Sequence, residues 1–437
     1  MKRNMMILAL QTLAFLGVAH AGHADRDLFP IEKLGGLIYN DPNLSMNRNQ
    51  SCASCHDLEW GGTNPDSIIN SQGAVSEGSF TDRFGNRKPP SSTYATLSPI
   101  FHLSMKVGGG YVGGNFWDGR ATGMKLGNPA ADQAQGPFLN PVEQALPDAA
   151  CVVYRVSVAS YASIYTDVWG DSISSIGFPA DMDSLCQQEG VTIPLDNVDR
   201  LQVEMEYDKI ALAIAAFEDS PEVNRFSSRF DANSGHSSSL TAEEQWGYEL
   251  FKGKAKCDNC HDSSGRNAPF TDFTYDNLGI PKNPENPAFI ADPAYVDLGL
   301  GGYLKNSGQP ANVYEPEMGK MKVPSLRNVD KRPSPEAVKA YTHNGYFKSL
   351  KGVVHFYNTR DVKARCPGDY TESEALAENC WPAPEVEQNV NTIEIGNLGL
   401  TDEEENAIVA FLKALSDDSS SQRHANSRQS DSHHYDD

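Results

Sequence analysis

Two short stretches constrain this chain more than anything else in it: "CASCH" at 52–56 and "CDNCH" at 257–261. Two thiols with two residues between them, followed at once by a histidine, form the attachment motif of c-type haem. The thiols add to the porphyrin vinyls, and the histidine falls beneath the iron as an axial ligand. A thioredoxin-like CxxC or a zinc site gives no reason for a histidine in both copies. The sequence therefore predicts two covalently bound haem c groups, attached through Cys52, Cys55, Cys257 and Cys260, with His56 and His261 as the proximal ligands. Whatever fold forms must build two cavities large enough for a porphyrin.

Each motif sits in the same setting. Ahead of the second, Thr241 and Glu244 make a capping box that opens a short helix carrying Trp246 and Leu250. Ahead of the first, Ile31, Leu34, Leu37 and Ile38 form a comparable apolar face. Each unit closes with another helix: Ile210, Ile214 and Phe217 share a face in the first, and Thr401 and Glu404 cap the second ahead of Ile408, Phe411, Leu412 and Leu415. The order of helix, CxxCH, long loops and closing helix occurs twice, about 205 residues apart. This pattern predicts a mainly α protein of two tandem cytochrome c-like haem domains, at 22–225 and 241–416. The polar segment 226–240 is expected to be a linker, and 417–437 a disordered tail.

The first 21 residues have a basic start (Lys2, Arg3), an apolar run and a small-residue cleavage site, which is the pattern of a signal peptide. No other stretch is long and apolar enough to span a membrane. A periplasmic or otherwise exported protein without membrane insertion is expected. Cys151, Cys186, Cys366 and Cys380 then read by proximity as two disulfides, Cys151–Cys186 and Cys366–Cys380, with other pairings open. Each would contribute roughly 3 kcal/mol. The net charge of −22 argues against nucleic acid as a partner and suits a basic protein surface.

Two haems alone fit an electron relay as well as an enzyme. A relay caps both irons with strong ligands, whereas a peroxide-using enzyme keeps one site open beside an acid-base group. The segment "SLKGVVHFYNTRD" (349–361) bears on this choice. Leu350, Val353, Val354 and Tyr357 recur on one helical face and His355 points away from it, so a tyrosine lies on the buried side. It is either a core aromatic or a ligand.

Five further stretches, in order, resemble the bacterial di-haem cytochrome c peroxidases and their MauG and MbnH relatives: "NFWDGRA" (115–121), "QAQGPFLNPVE" (133–143), "FTDFTYDNLGIP" (270–281), "KVPSLRNV" (322–329) and "HNGYFKSLKGVVHFYN" (343–358). The resemblance implies that peroxide reacts at the N-terminal haem, with Glu143 as the distal acid-base residue and Gln133 assisting. It implies that Trp117 lies between the haems and carries electron holes. Ordinary members hold the second iron with a late methionine, but this chain has none after Met321; Tyr357 stands where MauG-like members carry an axial tyrosinate. No histidine lies between His56 and His102 to block the first iron. The inter-haem calcium of the family usually takes an asparagine from "RNxP". Here the stretch is "RKPP" with Lys88, so either the ammonium supplies part of the ion's charge or calcium binds through other groups. The exit tryptophan of MauG, just before the second motif, is replaced by "KAK" (254–256).

These features predict an exported di-haem enzyme that uses hydrogen peroxide to reach a di-iron(IV)-type state and oxidises a Trp or Tyr of a partner protein at long range. Two alternatives stay open at this point. One is a peroxidase fed by a small cytochrome c or cupredoxin, and the other a non-catalytic electron-transfer cytochrome.

Overall fold

In a computed structural model that describes residues 26–232 and 240–418, both halves are organised around the same helix crossing. The opening helix Pro30–Tyr39 crosses the closing helix Asn197–Glu218, and Ala242–Lys252 crosses Asp402–Lys413. The sixth residue of each opening helix is a glycine. A Cβ on Gly35 would lie 1.9 Å from the carbonyl oxygen of Ala213, and one on Gly247 would lie 1.9 Å from that of Ala407. Backbone therefore packs directly on backbone in both halves, with Phe217 and Phe411 closing over the contact. The Thr241–Glu244 and Thr401–Glu404 capping boxes form as expected. They satisfy amide groups that the helix ends would otherwise leave unpaired.

Among the described residues strand is sparse, as the sequence implies. Three two-stranded pairs join His102–Ser104 to Gly110–Val112 and Tyr275–Asp276 to Met321–Lys322, both antiparallel, and Ala364–Arg365 to Cys380–Trp381 in parallel. One apolar core gathers Leu34, Ile38, Val203, Ile210 and Phe217, and a second gathers Phe251, Phe270, Phe356, Trp381 and Phe411. Both disulfides are present, Cys151–Cys186 in the first core and Cys366–Cys380 in the second.

Two expectations about the joints need correcting. The start of the 226–240 segment is packed rather than loose. Phe226 meets Tyr94 edge-on at 4.8 Å, Phe230 enters the second core, and Asp231 pairs with the fully buried Arg327 at 2.8 Å. Two phenylalanines outweigh the surrounding serines and asparagines. Asp417, which the sequence reading assigned to the tail, is likewise packed: it is buried and accepts hydrogen bonds from Tyr94 (2.7 Å), Asn328 (2.9 Å) and the Ser227 amide (2.9 Å), tying the halves together. Residues 1–21 and 419–437 lie outside the described residues. Among those described, no helix is long and apolar enough to cross a membrane.

Gly247→Ala should force the two backbones apart. Overpacking of this kind costs about 1–3 kcal/mol. A lower urea midpoint for the haem-loaded protein would check it, with Gly368→Ala, where a Cβ meets only the Tyr370 ring at 3.9 Å, as the reference.

Candidate functional site

The two CxxCH motifs fold alike. Each begins with one 3₁₀ turn, Cys52–Ser54 or Cys257–Asn259, and the histidine amide then bonds back to the first cysteine carbonyl, at 3.0 Å for His56 and 2.9 Å for His261. This turn brings both thiols and the imidazole to the wall of one cavity in each half. All four thiols are free, and burial pushes their pKa values up, that of Cys55 to about 11. His56 Nδ1 lies 3.1 Å from the Gly62 carbonyl and His261 Nδ1 2.9 Å from that of Phe270. A carbonyl only accepts, so Nδ1 carries the proton and the Nε2 lone pair is left for a metal. Burial lowers both imidazole pKa values and keeps the rings neutral.

Glu143, Gln133 and Trp117 also line the first cavity. Gln133 comes from the short helix Pro129–Ala134. Glu143 follows a turn in which its amide bonds the Asn140 carbonyl at 2.9 Å, and the Asn140 side-chain amide donates to its carboxylate at 2.9 Å. Burial raises the carboxyl pKa above its ordinary value, against the opposing pull of Arg120 and Asn140. His56 is the only histidine, and there is no methionine, among the described residues lining this cavity.

Trp117 lines both cavities and forms part of their common wall with Lys322, Val323 and Pro324. Its indole donates to the Lys88 carbonyl at 2.9 Å, and its own carbonyl accepts from the Lys322 amide at 2.8 Å. The preceding Phe116 is held at φ 64°, a conformation that costs a non-glycine residue about 1 kcal/mol or more.

Tyr357 lines the second cavity with Leu350, Val353 and Val354, all four from the helix Leu350–Thr359. His355 faces the other way and meets Glu405 at 2.9 Å. Burial, then the nearby Cys257, Cys260 and Asp276, raises the phenol pKa, so without a cation before it Tyr357 keeps its proton. Met321 and His343 line this cavity too. His343 is already engaged, with Nε2 3.1 Å from Glu385 and its ring 6.5 Å from that of Trp117.

Sequence reasoning missed the buried charges Lys322 and Glu218, and singled out Lys88 only through the family resemblance. Lys88 and Lys322 line the first cavity, and Lys322 the second as well; burial lowers their pKa values to about 8 and about 7. Neither has an ion-pair partner among the described residues, Lys88 bonding only the Pro89 carbonyl and Lys322 only Ser98 and Asn115. Buried cations without counter-charges are costly, and the two propionates of a haem are the carboxylates such a cavity would receive. Glu218 is also buried in the first cavity wall, and burial alone raises its pKa to about 8. Thiol pairs, neutral imidazoles and orphaned ammonium groups together fit a haem in each cavity.

The methylamine utilization protein MauG of Paracoccus denitrificans is 34% identical to this chain over 397 residues, covering 88% of each. The chain belongs to the di-haem cytochrome c peroxidase family. A model of that family, described as di-haem cytochrome c peroxidase, matches residues 30–238. The cytochrome c551 peroxidase of Nitrosomonas europaea is 27% identical, over 74% of this chain and 71% of its own. The crystal structure of the diheme peroxidase BthA from Burkholderia thailandensis E264 matches with a TM-score of 0.70 at 27% identity, over 90% of this chain and 87% of that one. As a member of the di-haem peroxidase family the protein is a haem-dependent oxidoreductase with two haem groups, using peroxide and a partner protein or electron donor.

If Glu143 takes up a proton, peroxide reactivity of the ferric protein rises as pH climbs through its raised pKa, because only the carboxylate accepts. Stopped-flow rates should show that midpoint above the ordinary carboxylate value. Arg120→Gln should move it higher, and Glu143→Gln should abolish it and slow the reaction by about 10²–10⁴-fold.

Proposed function

We propose that this enzyme takes two oxidising equivalents from hydrogen peroxide in the first cavity and spends them on a Trp or Tyr side chain of a partner protein. Bound haem supplies the redox chemistry that splits the O–O bond and stores the equivalents. Cys52 and Cys55, and Cys257 and Cys260, hold the two groups covalently, and His56 and His261 present Nε2 to the irons. Glu143 takes the proton from the near oxygen of peroxide and returns it to the far oxygen, which leaves as water, with Gln133 assisting in the same pocket. Trp117, on the wall common to both cavities, passes electrons between the centres. Lys88 puts an ammonium where the resemblance places a calcium ligand, so we read the compensating charge as coming from the protein. Export by the segment 1–21 belongs to the same reading, since disulfides call for an oxidising compartment.

The observation that carries this reading is Tyr357 in the second cavity beside Cys257, Cys260 and His261. A phenolate is a hard anionic ligand that lowers the potential of its iron and favours oxidised over ferrous states. A site of that kind stores oxidising power and receives electrons from a donor poorly. Met321 in the same cavity favours the second reading, in which a thioether ligand makes a peroxidase fed by a small cytochrome or cupredoxin.

One equivalent of peroxide added to the diferric protein without donor separates the two. The first reading expects Mössbauer signals of both irons to change and the oxidised state to persist, and Tyr357→Met to confine the response to one iron. A wild-type protein that stays inert until one haem is pre-reduced would instead support the donor-fed peroxidase.

A further inference from the structure

Outside the two main cores lies a smaller aromatic cluster that neither cavity needs: Phe101 and Tyr275 on Leu300 and Leu304, with Tyr111 and Tyr303 packed against them. Its inner end touches the wall between the cavities. Tyr275 pairs across strands with Lys322, whose amide bonds the Trp117 carbonyl at 2.8 Å. The Tyr275 hydroxyl also lies against Gly119, two residues beyond Trp117, where a Cβ would come within 2.2 Å of it. From there the rings continue outward. Phe101 is edge-on to Tyr275 at 6.0 Å, stacked on Tyr111 at 5.0 Å, and edge-on to Tyr303 at 6.1 Å. Tyr111 and Tyr303 are half-buried, and Tyr111 sits on a hairpin whose Leu103 and Met105 are 56% and 82% exposed.

The hydroxyls divide these rings into two kinds. A tyrosine gives up an electron readily only where its proton has somewhere to go. The Tyr275 hydroxyl donates to the Gly113 carbonyl, which cannot take a proton, and this hydrogen bond is buried. Tyr111 and Tyr303 have no side-chain hydrogen-bond partner among the described residues and reach the surface, where water accepts the proton. Tyr275 and Phe101 thus suit a bridge, and the outer pair suits a terminus.

We propose that Tyr275 and Phe101 connect Trp117 to the surface, and that Tyr303 and Tyr111 are the oxidisable terminus at which the protein substrate is oxidised. This rests on the reading above, that the oxidising equivalents leave for a partner protein. One phenol of the terminus loses an electron, through Phe101 and Tyr275, to oxidised Trp117, and its proton to water. The resulting tyrosyl takes an electron from an electron-rich aromatic side chain of the partner and recovers a proton from water. Two such passes remove two electrons from the partner and consume the two equivalents of one peroxide.

The test uses the diferric holoenzyme, treated with peroxide in the absence of partner. Freeze-quench EPR should show a tyrosyl signal that narrows in protein made with ring-deuterated tyrosine, and peptide mass spectrometry should find oxygen adducts on Tyr111 and Tyr303. The Tyr111→Phe/Tyr303→Phe double variant, which gives up no hydrogen bond, should lose the signal and the adducts while the haem absorption change is retained. Tyr275→Phe keeps the ring and should keep the signal, whereas Tyr275→Leu should lose it. An undiminished signal in the double variant, or adducts gathered on the exposed Trp246 with Tyr111 and Tyr303 unmarked, would overturn the proposal. So would a normal haem response in wild type without any tyrosyl. Haems that fail to respond to peroxide would overturn the parent reading, and this one with it.

Discussion

Everything in this structure hangs on a backbone contact made twice. Gly35 against Ala213 and Gly247 against Ala407 let an opening helix lie directly on a closing helix, with no side chain between them. In the second half the CxxCH turn follows soon after the opening helix and presents its two thiols and histidine beside it, whereas in the first half the turn Pro42–Leu44 comes between. The long loops between motif and closing helix are then free to build the rest of each cavity wall. The two halves share this contact and differ elsewhere, which is how one architecture carries an acid-base pocket in one half and a tyrosine-lined pocket in the other.

The second organising fact is buried charge. Lys88 and Lys322 call for carboxylates that the described residues do not provide, and Glu143 and Glu218 are held at raised pKa values by burial. In water these groups would be unremarkable surface charges. Inside the walls they polarise the cavities, with ammonium groups near Trp117 and carboxyl groups of raised pKa in the first pocket. A neutral apolar lining could bury a porphyrin as well, yet it could neither orient one by its propionates nor move a proton beside it.

Much of this was legible in the chain because it depends on local spacing. The CxxCH turns, the capping boxes and the helical face that carries Tyr357 into a cavity wall all follow from intervals of two to seven residues. Both disulfides followed from proximity in a chain whose sequence led to the expectation of export. What was not legible depends on tertiary approach. Gly35 and Gly247 carry no local mark of the crossing backbone that requires them. Leu37, expected on the apolar face, is 37% exposed. Phe226 and Phe230 lay in a stretch whose composition reads as linker, and Asp417 in one that reads as tail, although all three are packed. Trp117 has no local signal of the role proposed for it; only the family resemblance singled it out, and the fold puts it on the wall of both cavities. Lys88, Lys322 and Glu218 carry no mark of burial in their neighbours.

Whether Tyr357 is an iron ligand decides which enzyme this is, and resonance Raman spectroscopy of the ferric holoprotein measures that most directly. Iron-phenolate vibrations that shift with ring-labelled tyrosine and vanish in Tyr357→Phe, with the first haem unaffected, are the predicted result. A second haem whose spectrum reports a thioether or a second imidazole, unchanged in Tyr357→Phe, would contradict the account and leave Tyr357 as a packing residue.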